Sequence, residues 1–475
     1  MRLIIPFSLK LVPLILLLSF TNLSALTTIK ADNPNFQYTG RIDYTTPDKP
    51  IIYWPGTYIK TNFEGSILII MLDDQTGQSF YNVFVDEDYE NPKVIDCISG
   101  SQIYLVSATL KDTVHSLMIF RRTEASTGPT KFLGIQINDG KNLLPPPPRK
   151  GRKILFYGNS ITCGMGNEAP DGGADDKMSQ ENNFLAYGAI ASRLLDADYM
   201  CIAKSGIGLM ISWFNFTMPD YYYRLNPDDP MSNWDFNEFI PDVVVINLLQ
   251  NDSWLINNLN PVPDSAQRVS AYVEFVRTIR SRHPNALIVC SLGSMDATKI
   301  GSPWPGYIER AVQFLHSADS DTNLATLFFP FDPVWTKHPR VRHHQQMAQS
   351  LSNFVGEKMG WITDIENKYF AQQPSNFSLS QNYPNPFNPV TRIRYTIPQL
   401  QSTDDNHVLL KVFDILGNEI TTLVNERQSP GTYEVEFYCN NSNSNLNDGN
   451  LSSGVYFYRL QVGDYIQTKK MVLMQ

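Results

Sequence analysis

Three patterns of apolar and polar positions follow one another along this chain. From Tyr38 to about Leu144, short apolar runs at 66–72, 80–85, 103–106, 116–120 and 132–137 are separated by turn signals. No helical periodicity of comparable strength accompanies them, and the spacing of the turns predicts an all-β sandwich. The run Pro145 to Pro148 cannot continue a sheet and predicts a stiff polyproline II spacer. Beyond it, strands at 153–157, 199–203, 242–249, 286–292 and 324–330 alternate with helices at 184–195, 265–282, 307–317 and 340–359. That alternation predicts a parallel sheet covered on both faces. From residue 377 short strands return, at 391–397, 409–413, 419–424, 433–437, 455–460 and 466–474, joined by turn dipeptides such as Gly417-Asn418 and Gly463-Asp464. An immunoglobulin-like sandwich is predicted there.

The candidate chemistry sits at the ends of the middle strands. The apolar run Ile154-Leu155-Phe156-Tyr157 stops at Gly158-Asn159-Ser160, so Ser160 stands just past the carboxyl end of a buried strand, where open α/β sheets keep their active sites. A serine needs a base to take its proton and donors for the oxyanion that develops on its substrate. After the strand at 199–203 comes Ser205-Gly206-Ile207-Gly208, whose glycines let a backbone N–H face the cleft. After the strand at 242–249 comes Gln250-Asn251-Asp252, which brings a side-chain amide to the same edge. His338-Pro339 precedes the last helix, with Pro339 suited to its first turn and the imidazole held in the loop. Each of these has an ordinary structural alternative, a turn for Gly206, a cap for Asn251 and a surface loop for His338. Their occurrence at successive strand ends favours one crevice.

Composition narrows the setting. A chain of 475 residues exceeds one core and suggests about three domains. With 42% hydrophobic and 18% charged residues most of it should fold, and a formal charge of −9 offers no basic patch for nucleic acid. Arg2 and Lys10 accompany an apolar stretch, Leu11 to Leu18, followed by polar residues and the small pair Ser24-Ala25, the form of a secretory signal peptide too short for a comfortable membrane span. The five cysteines, Cys97, Cys163, Cys201, Cys290 and Cys439, show no metal-ligand spacing and are expected to be mostly buried thiols, Cys163 being a candidate to line the site.

From Gly158 to Gln346 the chain resembles an SGNH (GDSL-type) hydrolase, with Ser160, Gly206, Asn251 and His338 at the four positions that name the group. From Tyr38 it resembles, more narrowly, the carbohydrate esterase family 2 acetylesterases, in which a jelly-roll sandwich precedes the hydrolase domain. The residues that carry this are Tyr38-Thr-Gly-Arg-Ile-Asp43, Arg122-Thr-Glu124, Phe132-Leu-Gly134, Phe156-Tyr-Gly-Asn-Ser-Ile-Thr-Cys-Gly164, Ser205-Gly-Ile-Gly-Leu209 and His338-Pro339 with His344-Gln-Gln-Met-Ala348. The resemblance implies removal of acetyl groups from plant polysaccharides or their oligosaccharides. Three positions depart from the pattern: Asn159 replaces the acid beside the nucleophile, Leu249 replaces a turn glycine, and Trp335 and Thr336 stand where the family's triad Asp is found. Some members are thought to use a Ser-His pair oriented by a backbone carbonyl, and that arrangement is the expectation here. The motifs Phe387-Asn-Pro389, Asp414-Ile-Leu-Gly417, Gly454-Val-Tyr-Phe457 and Lys469-Lys470 resemble the sorting domain of the type IX secretion system. A carbohydrate-binding sandwich is the alternative there.

The resulting expectation is a multidomain, exported carbohydrate esterase. A signal peptide spans 1–31, cleaved between 25 and 31. A jelly-roll sandwich at 32–144 and a proline-rich linker at 145–152 come next, then an α/β/α SGNH domain at 153–362, a linker at 363–376 and a sorting domain at 377–475. Ser160 and His338 are catalytic, and the N–H groups of Ser160 and Gly206 with the Asn251 amide hold the oxyanion. Trp254, Trp304 and Trp335, near the motif loops, are candidates to stack on a sugar ring. The chemistry requires no metal or other cofactor. Its partners are an acetylated polysaccharide or oligosaccharide and the type IX machinery, with no nucleic acid and no stable membrane insertion. The protein would end secreted or on the cell surface, after export through the periplasm of a Gram-negative bacterium. The alternatives are a binding or adhesive surface protein with impaired turnover and a general short-chain esterase.

Overall fold

The computed structural model describes residues 25–170, 173–332, 335, 337–361, 378–397, 407–428, 431–439, 451–463 and 465–474. The apolar leader, the linker at 363–376 and Thr336 lie outside them. The chain divides into two compact units, one ending at Met359 and one beginning at Gly360.

The first unit combines the N-terminal sandwich with the parallel sheet. Two six-stranded sheets form the jelly-roll sandwich, one built around Thr130–Asn138 and Leu68–Asp74, the other around Tyr58–Gly65 and Thr113–Arg121. Their neighbours pair antiparallel, and the inward positions, among them Phe63, Leu68, Ile70, Phe132, Ile135 and Ile137, are buried together. Each such side chain taken from water contributes about 1.5–3 kcal/mol. Among the described residues, seven of the twelve strands of this sandwich escape a reading of hydrophobic runs, and two of them show why. Tyr58–Gly65 buries Ile59, Thr61 and Phe63 but carries Lys60, Asn62 and Glu64 between them, which dilutes its apolar signal. Leu26–Lys30 lies within the stretch assigned to the leader, yet pairs in register with Thr130–Asn138. The proline run is not a free spacer, because Asn62 donates to the Pro145 carbonyl and Gln37 to that of Pro147.

The parallel sheet has the order Ala197–Ala203, Arg152–Gly158, Val243–Asn247, Leu287–Leu292, Leu324–Phe328. All neighbours are parallel, and nearly every residue of the first four strands is buried, as expected for strands covered on both faces. The chain leaves Arg152–Gly158 for the strand on one side and then returns to the strand on the other. The strand order therefore reverses beside Ser160, and that reversal opens the crevice at the carboxyl ends. Helix Ser265–Arg282 matches its predicted bounds and starts with a capping box between Asp264 and Gln267. Helix Val341–Met359 buries His344, Met347, Ala348, Leu351 and Val355 along one stripe and packs against helix Tyr187–Leu194.

Sandwich and parallel sheet are joined by buried contacts. Trp54 donates its indole N–H to the Leu225 carbonyl at 2.7 Å, Arg41 donates to that of Arg224, and Tyr58 donates to Asp198 at 2.8 Å. The second unit contains a three-stranded and a four-stranded antiparallel sheet around Phe387, Tyr395, Leu410, Phe437 and Tyr458, the expected immunoglobulin-like sandwich. All five cysteines are buried. Cys163 is wholly enclosed, so it does not line the cleft as the sequence suggested.

Candidate active site

Ser160 opens a one-turn helix, Ser160–Cys163, directly after the central strand. Asn159 caps it, its side-chain oxygen accepting the Ile161 N–H at 3.1 Å, so the amide does the local work of the acid it replaces. Gly158 packs where a Cβ would fall 2.0 Å from the Thr162 hydroxyl, which explains why no side chain is tolerated before the turn. The Ser160 Oγ lies 2.9 Å from Nε2 of His338. These two residues are 178 positions apart in the chain and meet because both loops leave the same edge of the sheet.

The other imidazole nitrogen overturns one expectation. His338 Nδ1 lies 3.0 Å from a carboxylate oxygen of Asp175, and the same oxygen accepts the His338 backbone N–H at 3.0 Å. No backbone carbonyl is needed to orient the ring, because an acid from the loop after the nucleophile takes the place of the missing upstream Asp. With Nδ1–H donating to Asp175, Nε2 is left to accept the serine proton. Hydrogen bonding to His338 holds the Asp175 carboxyl well below the usual carboxylate range, the backbone N–H and the nearby Arg340 charge acting in the same direction against some desolvation. Arg340 donates to the carbonyls of Gly166, Pro170 and Gly173, and Lys337 also donates to Gly173, so the loop bearing Asp175 is fastened to the segment bearing His338. Asp332 instead lies 3.8 Å from His343. Sequence reasoning missed Asp175 because its loop is polar and aperiodic. The only local sign was a Gly- and Asp-rich stretch shortly after the nucleophile.

Gly206 and Asn251 stand past the carboxyl ends of the two strands that flank Arg152–Gly158. Gly206 has φ +85°, and an added Cβ there would come within about 3.1–3.3 Å of the Phe214 and Trp213 side chains. Its carbonyl accepts the Trp213 N–H, whereas its own N–H and that of Ser160 have no acceptor among the described residues. Asn251 donates to the Ile207 carbonyl at 2.8 Å and accepts the Trp213 indole N–H at 3.3 Å. Leu249 adopts a left-handed conformation, at φ +78°, while its side chain is buried in the core. Packing thus offsets a backbone strain of about 1–2 kcal/mol. Asp252 accepts the N–H groups of Leu209, Met210 and Ile211 and so fixes the loop after Gly206. Burial pushes its carboxyl upward, opposed by those three N–H groups.

The tryptophans separate into different roles. Trp304 packs edge-on against Tyr307 in the core and is only 6% exposed, so it is not a sugar platform. Trp335 donates to the His338 carbonyl at 2.9 Å and lies beneath the Arg340 and Arg342 guanidinium groups. Trp254 is 43% exposed and bonded to Asp296. Trp213, absent from the sequence candidates, is 63% exposed beside Gly206 and Asn251. Its signal was the aromatic run Trp213-Phe-Asn-Phe216 in a loop directly after the Gly206 motif. Among the described residues no group of three or more His, Cys, Asp or Glu is arranged to hold a metal ion.

Residues 38–147 match the carbohydrate esterase 2 N-terminal family, and residues 381–474 match the secretion system C-terminal sorting domain. The chain is 32% identical over 345 residues to cellulase/esterase CelE of Acetivibrio thermocellus, an alignment covering 70% of this chain and 40% of that longer protein. It is 28% identical to an acetylxylan esterase/glucomannan deacetylase of Cellvibrio japonicus, covering 71% of this chain and 93% of the relative. A solved family 2 carbohydrate esterase from Clostridium thermocellum, in complex with cellohexaose, superposes with TM-score 0.63 at 30% identity, covering 69% of this chain and all of that one. With Ser160, His338 and the jelly-roll sandwich arranged as described and these likenesses beside them, the chain belongs to carbohydrate esterase family 2.

Proposed function

We propose that this protein is an exported esterase that removes O-acetyl groups from polysaccharides or oligosaccharides. The observation that carries the reading is the continuous chain of contacts from Ser160 Oγ through His338 to Asp175, at 2.9 and 3.0 Å. Ser160 attacks the acetyl carbonyl while His338 Nε2 takes its proton, and Asp175 stabilises the imidazolium that results. The N–H groups of Ser160 and Gly206, with the second amide hydrogen of Asn251, stabilise the tetrahedral oxyanion. His338 then returns the proton to the departing sugar oxygen, leaving an acetyl-Ser160 that water hydrolyses by the same relay. The exposed Trp213 and Trp254 offer ring faces to a sugar near this centre, whereas the Trp335 ring is taken up by Arg340 and Arg342. An intact relay argues against an adhesive protein without turnover.

The C-terminal domain is read as the address for the type IX secretion system, which supports delivery outside the cell or onto its surface. The pairing of Leu26–Lys30 with the sandwich favours leader cleavage before Leu26, at the early end of the expected range.

The test is acetate release by the full chain from acetylated xylan, acetylated glucomannan and 4-nitrophenyl acetate, with Ser160→Ala as control. Release from the polymers, lost in the control, is expected. Trp213→Ala should raise KM for the polymers several-fold and leave 4-nitrophenyl acetate turnover within about twofold. Turnover of the aryl ester alone would select the general short-chain esterase instead.

A further inference from the structure

The Arg122-Thr-Glu124 segment of the sandwich reaches into the catalytic domain at two points. Arg122 donates to the carbonyls of Ser179 and Glu181 and forms an ion pair with Glu168, all on the loop that carries Asp175. Glu124 goes further. Its side chain is buried, and Oε2 accepts the Ser205 backbone N–H at 2.7 Å and faces the Cys163 thiol at 3.8 Å. Cys163 lies in the one-turn helix that begins at Ser160, and Ser205 immediately precedes Gly206. A single carboxylate therefore touches both the nucleophile's helix and the oxyanion loop. Burying a carboxylate is expensive unless N–H donors compensate it. Here the compensating N–H is the one that restrains the peptide next to Gly206.

We propose that Glu124 is a positioning residue for the oxyanion hole, supplied by the sandwich to the catalytic domain. This rests on the oxyanion role proposed for Gly206. The loop is held from three directions: Glu124 takes the Ser205 N–H, Asn251 donates to the Ile207 carbonyl, and Asp252 takes the N–H groups from Leu209 to Ile211. Removing the first anchor frees the Ser205–Gly206 peptide to rotate, and its N–H is the donor aimed at the substrate. A displacement of about 1 Å in such a group can lower a rate by about a hundredfold. The sandwich is then part of the catalytic apparatus, not a separable binding module. Glu181 accepts the Glu124 backbone N–H at 2.6 Å and fixes the turn from which the carboxylate projects.

The experiment compares Glu124→Ala, Glu124→Asp and Glu124→Gln in the full chain with 4-nitrophenyl acetate, active sites being counted by fluorophosphonate titration. Per titrated site, Glu124→Ala should lower kcat about ten- to hundredfold with KM within threefold. Glu124→Gln, which keeps an acceptor at the same reach, should recover most of it. The inhibition constant of phenylboronic acid, whose Ser160 adduct places a negative oxygen in the hole, should rise in parallel with the loss of kcat. If Glu124→Ala does not fold, Glu124→Asp serves, since its shorter side chain keeps the charge but cannot reach Ser205, and should lose about tenfold. A kcat per site within twofold of the parent in the folded variant, or a loss matched by KM alone, overturns the proposal. Turnover persisting in Ser160→Ala would instead overturn the assignment of the site itself.

Discussion

Replacing Asp175 with Asn removes one negative charge and leaves a side chain of nearly the same size. In the structure that charge faces the imidazole nitrogen at 3.0 Å. For unit charges centred about 4 Å apart, an effective dielectric of about 20 gives about 4 kcal/mol. Both side chains keep some solvent contact, at 17% for His338 and 24% for Asp175. Screening therefore reduces the expected stabilisation of the imidazolium to about 2–3 kcal/mol, which is roughly thirty- to hundredfold in rate. A second effect adds to this. The Asn amide can donate to Nδ1, favouring the tautomer in which Nε2 carries the proton and cannot accept one from Ser160. Together these predict a fall in kcat of about a hundred- to thousandfold, with KM little changed. Steady-state hydrolysis of 4-nitrophenyl acetate, with thermal unfolding to verify the fold, measures it. Asp332→Asn is the control, because that carboxylate stands beside His343 and should change kcat by less than about twofold. An Asp175→Asn enzyme that keeps kcat within threefold, while His338→Ala is inactive, would show that the ring is oriented by something other than this acid.

Asn251→Ala should lower kcat about a hundredfold or more, the usual result of deleting one oxyanion donor; a change confined to KM would place the amide in ground-state sugar binding. Glu181 is buried beside Glu124, and desolvation and that neighbour push its carboxyl well above the ordinary range. A folded-state value raised above the unfolded one means stability that is complete below about pH 4 and declines as pH rises toward the folded value. Glu181→Gln removes this dependence, so its melting temperature relative to the parent should climb between pH 4 and pH 8. A difference independent of pH would contradict the buried-carboxyl reading.

Sequence alone determined the architecture and singled out Ser160 and His338, which the structure brings together, for local reasons. Short apolar runs between turns, a buried strand ending in Gly158-Asn159-Ser160, and a histidine poised before the last helix are each written in a few consecutive residues. Helix Ser265–Arg282 was legible to the residue because its capping box and apolar stripe lie within it. Tertiary structure decided whatever depended on distant segments meeting. Asp175 sits in a loop with no periodicity and gains its role only because Arg340 pins that loop beside His338. Glu124 belongs by sequence to the sandwich and by contact to the loop that carries Gly206, 81 residues away. Trp304 and Trp213 could not be ranked from sequence, since burial depends on what packs over each ring: the first is covered by Arg268 of helix Ser265–Arg282 and the second stays open to solvent. A hydrophobic pattern fixes which face of an element turns inward. Which polar groups then converge at the strand ends depends on the paths of irregular loops, and these are set by side-chain-to-backbone bonds that no periodicity encodes.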